Sequence, residues 1–200
     1  EAMAVPDIAM LSLGIEARAG TVSEAQAQAS ESMDKVMEAL KDNRIAEKDI
    51  QTQRFSIYPI TKWDRDEDEE EIVGYRVTNM VLAKIREVDK AGAIIDAVAK
   101  AGGDYTRIRD ISFTIDDPTS YYEEARAKAM EDAKNKAEQL ADLAGVKLGK
   151  PSYISEGAIY RPPINRGYEE AGGPVPAPET PISPGELKIT LNVQVAYAIV

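Results

Sequence analysis

From Leu187 to Val200 the sequence alternates: Leu187, Ile189, Leu191, Val193, Val195, Tyr197 and Ile199 are separated by Lys188, Thr190, Asn192 and Gln194. A period of two places the apolar set on one face of an extended chain and the polar set on the other. One face then meets a core and the other meets water, which is the mark of an antiparallel sheet.

Other elements follow from the same periodicities. Ile8 to Ala17 is apolar on both faces and predicts a buried strand. Thr21-Val22-Ser23-Glu24 forms a capping box, with Thr21 at the N-cap and Glu24 three residues on. Ala25, Ala29, Met33, Val36, Met37 and Leu40 then trace one helical face, which Asn43 ends. Ile50 to Ile60 and Ile72 to Arg86 predict two strands of a long hairpin, Pro59 marking an edge or bulge and Asp64 to Glu71 the acidic tip. Asp89 is expected to cap a short helix carrying Ala91, Ile94, Ile95 and Val98, with Gly102-Gly103 as a left-handed stop. Arg107 to Ile115 predicts a strand. Asp117-Pro118 predicts a helix start, Asp at the N-cap and Pro at the first helical position. That helix runs to Leu143 with Ala125, Ala129, Ala133, Ala137, Leu140 and Ala144 along it, small residues that let it sit close on a sheet, and Gly145 closes it. Leu148 to Glu156 predicts a short strand. Residues 159–184 form a Pro/Gly-rich connection that includes Pro162-Pro163 and Gly172-Gly173-Pro174.

The expected fold is therefore α+β. It has three helices and an antiparallel or mixed sheet, built from two β-α-β-β units as a structural pseudo-repeat, with the long Ala-rich helix packed on the sheet. At 200 residues, 44% of them hydrophobic, the chain suits a single domain over 1–200, with halves at about 5–87 and 88–200.

Composition excludes several chemistries. The chain has no Cys and no His, so disulfides, thiol nucleophiles, imidazole bases and Cys/His zinc sites are all ruled out. A formal net charge of −11 disfavours nucleic acid as a partner, because that affinity comes from Lys and Arg neutralising phosphates. No stretch approaches the roughly 18 apolar residues of a membrane helix, so membrane insertion is not expected. The chain opens Glu1-Ala2-Met3, as a mature or trimmed form without its signal peptide would.

A set of short motifs is spread over nearly the whole chain. It includes Pro6-Asp7, Ala25, Leu40, Asp49-Ile50-Gln51-Thr52, Tyr58-Pro59 and Gly74-Tyr75. It continues with Ala125-Arg126, Ala129, Asp132-Ala133, Lys136-Ala137-Glu138, Gly145, Gly149 and Thr180-Pro181-Ile182-Ser183-Pro184-Gly185. In this order and spacing the chain resembles the SIMPL-domain family. The resemblance implies a periplasmic or extracellular protein of largely unknown function that self-assembles into a homo-oligomer and is linked to envelope or oxidative-stress functions. It implies no enzymatic activity and no cofactor. It also implies a further strand ahead of Pro6-Asp7, where five residues stand.

Several segments are weighed as sites. The acidic run Asp64–Glu71 has the Asp64, Asp66, Asp68 spacing of a calcium loop, but Glu69 and Tyr75 stand where that loop needs Gly and Glu. A solvated hairpin tip is the simpler reading, with a ligand- or metal-binding module as the alternative. Asp116-Asp117 and Tyr121-Tyr122-Glu123-Glu124 read as a helix start, although a carboxylate pair of a hydrolase is the second alternative. Arg126, Lys128, Lys134 and Lys136 interleave with Glu123, Glu124, Glu131 and Glu138 as a solvated helix face. Tyr160, Arg161, Arg166 and Tyr168 in the Pro-rich segment are candidate contacts for a partner or a second copy, the alternative being a mobile connection whose aromatics anchor it to its own domain, and Trp63 is the other candidate contact residue. No catalytic, cofactor-binding or metal-binding residue is assigned.

Overall fold

The computed structural model describes residues 1–64, 68–157 and 180–200. The protein is α+β, and every strand pairing among the described residues is antiparallel. Its contacts divide it into two compact units. The described residues of one are 7–114 and 180–184, less 65–67; those of the other are 1–6, 115–157 and 185–200.

The first unit is a four-stranded sheet with helices on one face. β2 (Ile8–Ala19) lies inside the sheet, between β4 (Glu69–Ile85) and β5 (Thr106–Thr114), with β3 (Ile50–Asp64) outside β4. An interior strand must be apolar, and Leu11, Leu13, Ile15 and Ala17 are fully buried. α1 (Val22–Asp42) begins where predicted: Thr21 Oγ1 accepts the Glu24 N–H at 3.3 Å, and Asn43 stands at its C-terminal cap. Its buried stripe of Ala25, Ala29, Met33, Val36 and Leu40 packs on β2 and β4.

α2 (Ala91–Gly102) starts differently from expectation. Asp89 does not cap it. Val88–Lys90 form a 3-10 turn that leads into the helix, so a backbone bond from Lys90 N–H to Glu87 O (2.9 Å) does the work of a side-chain cap. Gly103 does take a positive φ of 54°, but with ψ of −142° it is extended rather than left-handed helical. Residues 180–184 return across α2. The Asp96 carboxylate accepts the Thr180 N–H at 3.1 Å and its hydroxyl at 2.6 Å, and Ile182 packs against the core. Gly92 permits this approach, since a Cβ there would collide with the Thr180 carbonyl oxygen.

Among its described residues the second unit has two two-stranded sheets and a long helix. β1 (Ala2–Ala4) pairs with β7 (Leu187–Ile189), and β6 (Leu148–Glu156) with β8 (Val193–Ile199). A strand thus does precede Pro6-Asp7. The segment Leu187–Val200 is not the single strand expected: it leaves one partner after Ile189 and joins another at Val193. Its alternation survives the break, with Ile189 and Leu191 buried and Lys188 and Asn192 exposed, because the side that faces the core depends on the extended backbone and not on which strand it pairs with. The first β-α-β-β unit, β2-α1-β3-β4, closes into one sheet. In the second, β5 pairs with β2 while β6 pairs with β8.

α3 (Thr119–Ala144) starts one residue later than Asp117-Pro118 predicts, with Pro118 at the N-cap position. Asp117 still serves the helix end, accepting the Thr119 N–H at 3.0 Å and its hydroxyl at 2.6 Å. Gly145 closes the helix in the left-handed conformation, φ 69° and ψ 27°. The inner stripe keeps the spacing of four through Ala125, Ala129, Ala133, Ala137 and Ala141, and the helix lies against β1, β6, β7 and β8. Leu140 and Leu143 are off that stripe and exposed, at 67% and 80%.

Candidate interaction surface

β2 pairs with β4 only as far as Ala19 opposite Tyr75. Beyond that point β3 and β4 continue as a two-stranded ribbon, with Ile60 opposite Gly74, Thr61 opposite Ile72, Trp63 opposite Glu70 and Asp64 opposite Glu69. The hairpin predicted from the sequence is therefore present. A ribbon this narrow cannot shelter its own side chains. Trp63 (56%), Ile72 (53%) and Val73 are all exposed, as are Phe55 and Tyr58 nearer the sheet. The Thr61 hydroxyl donates to the Glu70 carboxylate across the ribbon, and Asp68 turns the chain with φ of 54°, a conformation that Asp tolerates.

Alternation decides which side chains share a face. Gly74 and Arg76 of β4 lie on the side away from the helices, opposite to the buried Val77, Val81 and Ala83, with Ile60 and Tyr58 across from them on β3. The register shifts between Ile60 and Thr61, so the alternation breaks there and the outer pairs, Thr61 with Ile72 and Trp63 with Glu70, do not continue that face. At the sheet end of this face stand Arg76 and its cross-strand neighbour Arg18, with Glu16 two residues from Arg18 on the same strand. Glu16 Oε1 accepts from Arg18 Nη2 at 2.8 Å and Nε at 3.2 Å, with Arg107 Nη2 at 3.8 Å and Arg76 Nε at 3.9 Å. Three guanidiniums thus surround one carboxylate. Burial pulls the Glu16 carboxyl up, but the Arg18 hydrogen bond and the three positive charges outweigh it and hold the group below the usual carboxylate range. Arg76 Nε is buried without a hydrogen-bond partner.

The other segments weighed from sequence are structural or fall elsewhere. On α3, Lys128 meets Glu124 at 2.5 Å, Lys136 meets Asp132 at 2.6 Å and Lys134 meets Glu138 at 3.6 Å, all in the exposed i,i+4 manner of a solvated face. Arg126 instead reaches the Glu156 carboxylate on β6 at 2.6 and 3.0 Å, tying helix to strand. Asp66, like 65 and 67, lies outside the described residues, and so do Tyr160, Arg161, Arg166 and Tyr168. Among the described residues no three Asp or Glu side chains gather closely enough to hold a metal ion. An open groove of about 490 Å³ runs below the end of α1, floored by Met37, Ile45 and Ile50 and rimmed by Glu38, Lys41 and Glu47.

Residues 1–197 match the family profile of SIMPL, described as a protein of unknown function (DUF541). The chain belongs to the SIMPL family. This SIMPL protein is similar to the 26 kDa periplasmic immunogenic protein of Brucella melitensis, with 34% identity over 98% of this chain and 80% of that protein. It is also similar to the uncharacterized protein YggE of Escherichia coli K12, with 32% identity over 88% of this chain and 71% of that protein. YggE of Edwardsiella ictaluri is 31% identical over 73% of this chain and 60% of that protein. Motifs that carry the family resemblance have structural roles here: Gly145 ends α3, Thr180 to Gly185 contains the strap over α2, and Gly74 sits where the ribbon leaves the sheet.

What sequence reading missed is the Glu16, Arg18, Arg76 and Arg107 cluster. Its signal was available in part, since Glu16 and Arg18 are the charged residues of an otherwise apolar strand. Arg76 and Arg107 join them only through strand register.

Proposed function

We propose that this SIMPL protein is an exported, non-enzymatic component of the bacterial envelope that works by self-association and contributes to stress tolerance. The observation that carries self-association is the ribbon beyond the sheet, which holds Trp63, Ile72 and Val73 in solvent, where a monomer gains nothing from them. Export is supported by the periplasmic relative that matches nearly the whole chain, and among the described residues no helix is long and apolar enough to cross a membrane. A non-enzymatic role is supported by the relatives, whose names carry no enzymatic activity.

Light scattering tests the assembly. A mass of at least twice the 21.8 kDa chain at micromolar concentration is expected, and a monomer at every concentration would overturn it. Expression of the full-length gene followed by osmotic-shock fractionation tests export, with recovery in the periplasmic fraction expected and retention in the cytosol counting against it.

A further inference from the structure

Three guanidiniums around one carboxylate leave two positive charges in excess on the side of the sheet away from the helices, in a chain whose net charge is −11. Arg18 and Arg76 stand directly across from each other, and like charges so placed cost stability in a strand pair. Their neighbours on that side do not offset them. Beyond Arg76 on β4 it carries Thr78, Met80 and Leu82, and Ser56 of β3 lies opposite Thr78. Asp110 lies opposite Ser12, four residues along β2 from Glu16 and so about 13 Å away. A fold that holds these arginines together is one that an added anion would stabilise.

Donors are also left over. Arg18 gives Nε and Nη2 to Glu16 Oε1, and Arg107 gives Nη1 to the backbone carbonyls of Asp104 and Thr106. Among the described residues no hydrogen bond uses Arg76: its Nε, shielded from water, stands 3.9 Å from Glu16 Oε1 and has no acceptor. An N–H in that state is costly, and the planar fork of a guanidinium is suited to oxyanions. Each of the three guanidiniums comes within 3.9 Å of the same carboxylate oxygen, so one tetrahedral oxyanion can bridge two or more of them. The side chains of Arg18, Arg76 and Arg107 are 56%, 41% and 44% exposed, which lets such an ion enter from solvent.

We propose that Arg18, Arg76 and Arg107 form a binding site for a phosphate dianion, either the inorganic ion or the terminal group of a monoester. The excess of two positive charges matches the charge of that group, whereas a carboxylate or a phosphodiester would satisfy half of it. Glu16 holds the three guanidiniums together without the ion and limits its affinity, because both compete for the same donors. A lipid phosphate has the same chemistry, but the net charge of −11 opposes approach to a surface that carries many such groups. The site lies within the unit built on 7–114 and needs no second copy, so it stands or falls apart from self-association.

Isothermal titration calorimetry of the whole chain with inorganic phosphate tests the site, at about pH 7.5, where the dianion dominates, and with chloride holding the ionic strength constant. Saturable binding in the micromolar to millimolar range is expected. It should weaken by about tenfold or more in Arg76→Gln and in Arg107→Gln. Lys35→Gln, which removes an exposed cation on α1, should bind as wild type does. Circular dichroism checks the fold of every variant, and should Arg76→Gln fail to fold, Arg18→Gln replaces it. Sedimentation with phosphatidylcholine vesicles that contain phosphatidic acid separates the two sources. No added pelleting is expected for a soluble phosphate, and pelleting abolished by the arginine substitutions would place the phosphate on a lipid instead. The site is overturned if inorganic phosphate shows no saturable binding up to tens of millimolar, if the arginine variants bind as wild type does, or if Lys35→Gln weakens binding as much as they do.

Discussion

In the unit built on 7–114, β2 has a hydrogen-bonded strand on each side and helices over one face, and Leu11, Leu13 and Ile15 lose all contact with solvent. In the unit built on 1–6, 115–157 and 185–200, no strand has more than one such neighbour among the described residues, and Tyr153, Ile154 and Ile199 are 56%, 57% and 68% exposed. The chemistry of the strands is similar. What differs is the width of the sheet: an interior strand is sheltered by its neighbours and by the helices above, whereas a two-stranded sheet leaves half of its side chains at an edge. The second unit compensates with alanines. Ala125 and Ala141 bring α3 close to its strands, but small side chains remove little area from water. Its small cluster of Ala2, Ala4, Ile115, Ala125, Ile189 and Leu191 is therefore expected to open at lower free energy than the core around β2.

The comparison can be broken most directly at Leu13. Leu13→Ala empties a fully buried site in the centre of the sheet and is expected to cost about 3 to 5 kcal/mol in denaturant unfolding. A loss below about 1 kcal/mol would mean that the first unit is not the rigid one. Next in size is Gly92→Ala. Its Cβ meets the Thr180 carbonyl, so the strap must shift or detach, at an expected cost of about 1 to 3 kcal/mol. Faster proteolysis within 180–184 is the readout that separates strap release from general destabilisation.

Thr21→Ala removes the capping oxygen of α1 and should cost about 1 kcal/mol by thermal or chemical unfolding, with Thr21→Ser close to wild type. Arg126→Ala breaks an ion pair between half-exposed side chains in the second unit, and the expected loss of stability is smaller than that of Thr21→Ala in the same unfolding measurement. The smallest effects per group are in pH. Asp49 is held down by the Arg86 hydrogen bond and Glu156 by that of Arg126. A carboxylate with a depressed folded pKa contributes stability that is complete above its unfolded value, near 4, and is lost as pH falls through the folded one. The melting temperature is thus expected to be flat from about pH 7 to 5 and to fall below about 4. Arg126→Ala should make that fall shallower, and an unchanged profile would remove the Glu156 contribution.

Thr21, the Ala25-to-Leu40 stripe, Gly145 and the bounds of Leu148–Glu156 were all readable from sequence, because each depends on a few adjacent residues. The readings that changed involve a choice between partners. Asp89 looked like a cap, but a preceding 3-10 turn supplied the bond. Leu140 looked like a continuation of the α3 stripe, yet a spacing of four selects Ala141, and only the strands beneath the helix choose between them. The charged and apolar surface features were half legible: exposed Trp63 and the acidic tip stand out in the sequence, while Arg18, Arg76 and Arg107 meet only because three strands lie side by side.

By itself the sequence determined where the chain is extended, where it is helical and which side of each element is apolar, since these depend on backbone periodicity and local capping. It also determined that no thiol or imidazole chemistry is possible. Tertiary structure decided that β5 joins β2 while Leu187–Val200 divides between two sheets, because backbone hydrogen bonds carry no residue identity and pairing is settled by which faces can be covered together. The same register brought Glu16, Arg18, Arg76 and Arg107 to one face, a charge arrangement that exists only once three strands lie side by side.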